Sequence, residues 1–392
     1  MRAIGTTERR ARLGLRHRLA RAAGSVDEAA AALVGLHSSD PTSVYLSARA
    51  RVTGFVPEDL EDALYERRSL ARMIGMRRTL FVVPRDVAAV MDEACTRALA
   101  PPEHRRLVGM LEEQGVAPAG KGERWLRRVA AQTLEALARR GPSTARELTK
   151  DVPDLGGKLV FGQGRAWAGA MGVSTRVLFL LAAEGEILRA RPLGTWVSGQ
   201  YRWARTEDWL GEPLTQIGHA EACADLLGRY LHAFGPVTTT DVRWWTGWTV
   251  RLTATTLEAV GAVEVGLDDG VGYVLPDDLG RVTSTRRWVA LLPGLDPTVM
   301  GWKDRGWYLG EHGPALFDRN GNAGPTVWAD GRVVGGWIQH PSGEIAVKLL
   351  ERVDPRTRSA IDAERGRLQA WLGDVRVTPR FRTPIELALS RS

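Results

Sequence analysis

The chain is poor in cysteine and nearly without lysine. Only Cys95 and Cys223 carry thiols, which excludes a disulfide scaffold and any zinc module built from cysteine alone. Lysine occurs only at positions 121, 150, 158, 303 and 348, so arginine supplies nearly all of the 53 cationic residues. Against 46 acidic residues the net charge is +7, which permits a polyanionic partner without naming one. Arginine reads phosphate and base edges better than lysine does. No apolar run reaches the roughly 18 residues that cross a bilayer, so no membrane span is expected. The seven histidines, at 17, 37, 104, 219, 232, 312 and 340, show no HxxxH pattern, and there is no CxxC, so neither a metal nor a cofactor is expected. Gly162-Gln163-Gly164 lacks the Lys-Ser/Thr helix opening of a phosphate loop, which leaves nucleotide hydrolysis unsupported. The N-terminus is rich in arginine but has no apolar core before a cleavage site. It reads as a basic helix, with an organelle transit peptide as the alternative, and a reducing cytoplasm is the expected compartment.

At 392 residues, with 44% hydrophobic and 25% charged, the chain suits two to four globular domains and not wholesale disorder. An internal repeat organises its middle. GPSTAREL at Gly141–Leu148 resembles GPVTTTDV at Gly235–Val242, each Gly-Pro following a helical stretch. Thr144 with Glu147, and less strongly Thr238 with Asp241, make the capping-box spacing that opens a new helix. After the first repeat a helix is expected over Ser174–Glu184, with strands over Ile187–Arg191 and Tyr201–Thr206. After the second, Thr253–Val260 reads as a helix, and Val263–Val265 with Gly272–Leu275 as a hairpin around LDDG. Helix, turn, helix, then helix and hairpin is the order of a winged helix, and it occurs twice.

The first third suggests a more diverged copy. Ser25 and Glu28 predict a helix from Val26 to about Leu36, His37 ends it, Asp40-Pro41 caps the next, and Pro57 opens another. Arg77–Val83 is strand-like. The last hundred residues are strand-rich, with hairpin turns at Asp330-Gly331 and Ser342-Gly343, an amphipathic helix at Pro355–Leu372, and a short strand and tail near RVTPRFRTP. The expected architecture is α+β: three tandem winged-helix units (1–120, 121–215 and 216–284) and a C-terminal β-rich domain (285–392), packed as one body and monomeric.

Three segments then carry a resemblance. LVGLHSSDPTSVYLSARAR, LLPGLDPTVMGWKDRGWYL and NGNAGPTVWADGRVVGGW resemble the AlkZ-like winged-helix DNA glycosylases. The resemblance implies a DNA-binding concavity and monofunctional removal of alkylated purines from double-stranded DNA, including bulky adducts of genotoxic natural products. It also places the catalytic motif, Gln-x-Gln or Gln-x-Asp in the family, at His37-Ser38-Ser39, followed here by Asp40. The position matches and the chemistry differs.

Breaking an N-glycosidic bond builds positive charge on the sugar. Water must then reach the anomeric carbon. An N7-alkylguanine is already cationic and leaves without a strong acid, so oriented water and modest electrostatic help suffice. His37, with a reference pKa near 6.5, is a candidate to orient or deprotonate that water. Ser39 is a candidate to hold the water or a phosphate oxygen, and Asp40 to face the sugar cation or fix the His37 tautomer. Each also has a plain structural reading, since Ser39-Asp40-Pro41-Thr42 is a helix-start sequence. The absence of lysine nearby argues against Schiff-base chemistry. DNA-contact candidates are Arg77, Arg78, Arg176, Arg243 and Arg305, although an internal salt bridge with Asp304 also suits Arg305. Trp244, Trp245 and Trp248 are candidates to stack bases or fill a wedge, but their helical spacing favours core packing. A non-catalytic DNA-binding regulator and a protein scaffold are the alternatives.

Overall fold

A computed structural model describes residues 1–162, 168–283, 286–379 and 382–391. Its first unit opens with helix α1 (Thr6–Arg16) and helix α2 (Val26–Ala32). The Ser25 hydroxyl accepts the Glu28 N–H at 3.1 Å and starts α2 as its sequence requires. The helix stops at Ala32 rather than running to Leu36. Val34 turns the chain in the left-handed region (φ 63°), and Leu36–His37 becomes strand β1. His37 therefore belongs to a strand and does not close a helix. Strand β1 is followed by helix α3 (Pro41–Arg49), strand β2 (Leu70–Ile74) and strand β3 (Leu80–Pro84). The sheet order is β1-β3-β2, with Leu36 opposite Val82 and His37 opposite Phe81. Gly35 allows this pairing, because a Cβ there would lie 2.8 Å from a Val83 methyl.

Arg77 and Arg78, expected at the head of a strand, sit in the β2–β3 turn instead, with φ of 53° and 68°. Two consecutive arginines in the left-handed region are strained, and strain of this kind concentrates at functional sites.

The repeats fold as their caps dictate. Thr144 and Glu147 close a reciprocal capping box at the head of a helix over Ala145–Asp151, and Thr238 and Asp241 do the same for Thr239–Thr246. Helices Val173–Ala183 and Val250–Ala259 follow, each leading to an antiparallel pair: Ile187–Pro192 with Tyr201–Arg205, and Val263–Leu267 with Gly270–Val274. A further hairpin, Lys158–Phe161 with Gly169–Gly172, has no counterpart in the sequence reading. Gln163 and Gly164 lie outside the described residues.

The C-terminal region is a four-stranded antiparallel meander (Val289–Leu292, Thr326–Ala329, Arg332–Gln339, Ile345–Leu349) covered by a helix at Pro355–Leu372. The turn at Asp330-Gly331 has φ of 49° and 85°, the two positive values that a tight hairpin needs. The end of the chain departs from expectation. No strand forms at 375–379, because Val377 gives its N–H to the Gln339 side chain at 2.8 Å instead of to a ladder. Thr383 and Glu386 then cap a helix over Pro384–Leu389. Arg380 and Phe381 lie outside the described residues.

One large core joins the β1-β3-β2 sheet, the helix over Thr239–Thr246 and the C-terminal sheet, and it takes in Leu188, Ala190, Ala204 and Trp209 as well. A second core holds Ile74 and most buried apolar residues from Trp125 to Ile187, with Trp203. The second core also takes in Leu107, Leu111 and Ala117, from before residue 121. At the centre of the larger core is a fully buried ion pair. Arg51, just past α3, grips Asp296 with two hydrogen bonds of 2.9 and 2.7 Å. Asp296 also accepts the Ser47 hydroxyl and the Thr298 N–H, so its negative charge is answered from both sides. This joint, with the Ser43 hydroxyl donating to Gly294, ties α3 to the Pro293–Leu295 turn.

Candidate active site

The candidate motif lies where β1 ends and α3 begins. His37 is 5% exposed and meets the Phe81 ring edge-on, with centroids 5.2 Å apart. Burial pulls its pKa down to about 4, and the nearby Arg77 cation adds to the shift while Asp296 opposes it. The imidazole is therefore neutral at pH 7, away from the mid-range value that its residue type suggests. Its Nδ1 accepts the Ser39 N–H at 3.4 Å, which puts the ring proton on Nε2. Nε2 forms no hydrogen bond among the described residues.

Ser38 is buried and its hydroxyl finds no partner among the described residues, a cost that a sequence reading has no means to see. Ser39 is half-buried. Its Oγ accepts the Leu80 N–H at 3.1 Å, which extends the β1–β3 pairing by one side chain and leaves the O–H free to donate.

Asp40 is the N-cap of α3. Its Oδ1 accepts the Thr42 N–H at 2.9 Å, the Thr42 hydroxyl at 2.6 Å and the Ser43 N–H at 3.3 Å. Its Oδ2 forms no hydrogen bond among the described residues. The cap and the chemistry thus do not compete for the same atom. Ser39 and Asp40 also form part of the wall of a cavity between α3 and the C-terminal sheet.

The arginine candidates separate into three groups. Arg77 lies 3.8 Å from the Trp244 ring centre and Arg305 lies 4.8 Å from the same ring. Arg305 also covers Phe317 at 4.7 Å. Neither forms an ion pair among the described residues, so the expected bridge between Asp304 and Arg305 does not form. Burial and the Arg305 charge bring the Arg77 pKa down to about 10. Two cations stacked on one indole with no acid between them make an arrangement that an anion would stabilise. The Arg305 turn is set by Asp241, whose buried Oδ1 accepts the Lys303 and Asp304 N–H groups at 2.7 and 3.0 Å.

Arg78 and Arg176 form the second group. Both pair with Glu103, and Arg78 also covers Phe179 at 5.0 Å. Part of their charge is already balanced inside the protein. Arg243 is exposed and has no ion pair among the described residues.

The tryptophans divide as well. Trp245 stacks on Tyr230 with centroids 4.3 Å apart, and the Trp248 indole N–H donates to Ala94, as core residues do. Trp244 is half-buried and serves the arginine pair instead. Arg51 was not separable by sequence, since nothing local distinguishes it from its neighbour Arg49. Among the described residues no group of three or more His, Cys, Asp or Glu side chains could hold a metal ion.

With this geometry in place, the comparisons decide the family. The family model described as DNA glycosylase AlkZ-like matches residues 30–371. The chain belongs to the AlkZ-like DNA glycosylase family. That membership makes this AlkZ-like chain a DNA glycosylase acting on DNA. Its fold is similar to that of Streptomyces sahachiroi DNA glycosylase AlkZ, with a TM-score of 0.73 over 94% of this chain and 97% of that one. Sequence identity to it is 21%, so this second likeness is one of fold. No curated protein matches the chain. No described helix of this AlkZ-like protein is long and apolar enough to cross a membrane.

Proposed function

We propose that this protein hydrolyses the N-glycosidic bond of alkylated purines in duplex DNA, N7-alkylguanine or N3-alkyladenine, with water and without a covalent intermediate. The observation that carries the reading is the Arg77–Trp244–Arg305 stack, two cations with no acid partner among the described residues, with Arg77 close enough to His37 to lower its pKa, and with one Asp40 carboxylate oxygen and the Ser39 O–H left without a hydrogen bond among those residues.

The phosphate beside the lesion lies at the arginine pair, which orients the duplex but does not read it. The C1′–N bond breaks and its electron pair leaves with the base, which cancels the charge of a cationic alkylpurine. Asp40 Oδ2 faces the positive sugar and takes the proton of the attacking water. The Ser39 O–H and the His37 Nε2–H hold that water in place. His37 is neutral, so it donates a hydrogen bond and supplies no general acid. A departing group that is already cationic requires none.

Bulky adducts, including those of genotoxic antibiotics, are the substrates we favour. The three helix–helix–hairpin units act as winged helices spanning 1–120, 121–215 and 216–284, ahead of the β-rich region at 285–392. The protein works as a cytoplasmic monomer in alkylation repair. Incubation with a duplex bearing one N7-alkylguanine, followed by heat or base to cleave abasic sites, tests the reading. Strand breaks with the parent that fall sharply in Asp40→Asn support it. Tight duplex binding with no base release refutes it.

A further inference from the structure

A cavity of about 110 Å³ lies between the start of α3 and the C-terminal sheet. Leu46, Pro293, Leu295, Trp337, Ile338 and Val377 supply its apolar wall. Polar groups that share the wall are already engaged within the protein. The Ser43 hydroxyl donates to Gly294 at 2.7 Å, and the Gln339 amide joins the Val377 N–H to the Val375 carbonyl. The Asn322 amide donates to Asp318 at 2.9 Å, and the Trp337 indole N–H donates to Leu292 at 2.9 Å. The side-chain groups of that wall with no hydrogen bond among the described residues are the O–H of Ser39, Oδ2 of Asp40 and the carbonyl oxygen Oδ1 of Asn322.

A second observation points to a ligand here. Leu295 is a half-buried leucine in the left-handed region, at φ 62°. Side chains rarely adopt that backbone, and persistent strain of this kind is found at ligand clamps. It is held there by the Leu295 N–H bond to Ala323 at 2.9 Å and by the neighbouring Asp296–Arg51 joint.

We propose that this cavity receives the uncharged apolar substituent of an alkylated purine, so that the enzyme prefers lesions bearing such a group over methylated bases. This rests on the reading of the site given above. An extruded base would need hydrogen-bond partners for its edge. The wall has largely used its own, so an apolar group fits where a bare base does not. The size agrees, since an engineered apolar cavity of roughly 150 Å³ holds benzene. The smaller space here suits a branched aliphatic group or one small ring. The order around the site is then phosphate at Arg77 and Arg305, sugar at Ser39 and Asp40, and substituent beyond Asp40. Phe317, under Arg305, adjoins Asp318 of the cavity wall.

The test compares duplexes carrying one N7-methylguanine or one N7-isobutylguanine. For the parent, kcat/KM is expected to favour the isobutyl lesion. Val377→Phe fills the cavity and is expected to lower isobutyl excision by about tenfold while leaving methyl excision unchanged. Leu295→Gly fits the local backbone, removes one wall, and is expected to narrow the preference in a protein that folds even if the larger substitution does not. Equal loss on both lesions, or no change on either in both variants, overturns the cavity assignment and leaves base release standing. Release of neither lesion by the parent overturns the base-release reading itself.

Discussion

Asp40 holds α3 with one carboxylate oxygen and leaves the other free, and the two roles separate by substitution. Asparagine caps a helix about as well as aspartate, whereas alanine costs about 1 kcal/mol. Asp40→Asn is therefore expected to melt with the parent and to lose about a hundredfold in base release, because the cap is kept while the charge facing the sugar and the acceptor of the water proton are gone. Asp40→Ala is expected to lose both activity and stability. Thermal melts beside single-turnover excision check the pair, and an active Asp40→Asn would remove the aspartate from the mechanism. The cap was legible in Asp-Pro-Thr because capping is a contact between near neighbours. The state of His37 was not. Its burial comes from Phe81 and its charge environment from Arg77, both far along the chain and joined to it only by the sheet. Arg51 poses the same problem, since its partner Asp296 is 245 residues away. Arg51→Leu leaves a buried, unanswered carboxylate and is expected to cost about 3–5 kcal/mol, read from urea midpoints. A loss under about 1 kcal/mol would mean that Asp296 is not buried as described.

At the scale of elements, β1 and the β2–β3 turn carry the site. The capped repeats were legible because a capping box spans only a few residues, and the matching Gly-Pro turns confirmed one another. β1 was not legible, because two residues give no period, and their strand state depends on β3 arriving beside them with Gly35 making room. The turn after β2 then sends Arg77 to Trp244 and Arg78 to Glu103. These consecutive arginines are expected to behave differently. Arg77→Gln or Arg305→Gln is expected to weaken duplex binding and to flatten the slope of log affinity against log salt by about one unit for each lost phosphate contact. Arg78→Gln is expected to change that slope less, since Glu103 already offsets its charge. Fluorescence anisotropy across a salt series measures all three. Equal slopes for the parent and Arg77→Gln would place the phosphate elsewhere.

For the whole molecule, two buried histidines tie the fold to pH. Burial lowers His17 to about 3 and His37 to about 4, against roughly 6.5 in an unfolded chain. Between these values the unfolded state binds the proton that the folded state refuses, so stability rises with pH and is lost as pH falls below about 6.5. At pH 4.5 the loss is about 2–3 kcal/mol for each histidine. Urea midpoints at pH 7 and pH 4.5 show it, and His37→Asn is expected to lose less than the parent between them. An equal loss would mean that the ring is solvated. The family was legible because three separate segments of unusual sequence pointed to it, and the family match over residues 30–371 agrees. What those segments do not encode is which side chains are left without partners, since that depends on contacts among all the units.

The central claim is that the free oxygen of Asp40 and the hydroxyl of Ser39 guide water to the sugar of an alkylated purine. Direct measurement of free modified base, released from a duplex with one N7-alkylguanine and separated by chromatography, tests it. The account predicts release by the parent, near-complete loss in the well-folded Asp40→Asn variant, and partial loss in Ser39→Ala. Release at the parent rate from both variants would contradict it.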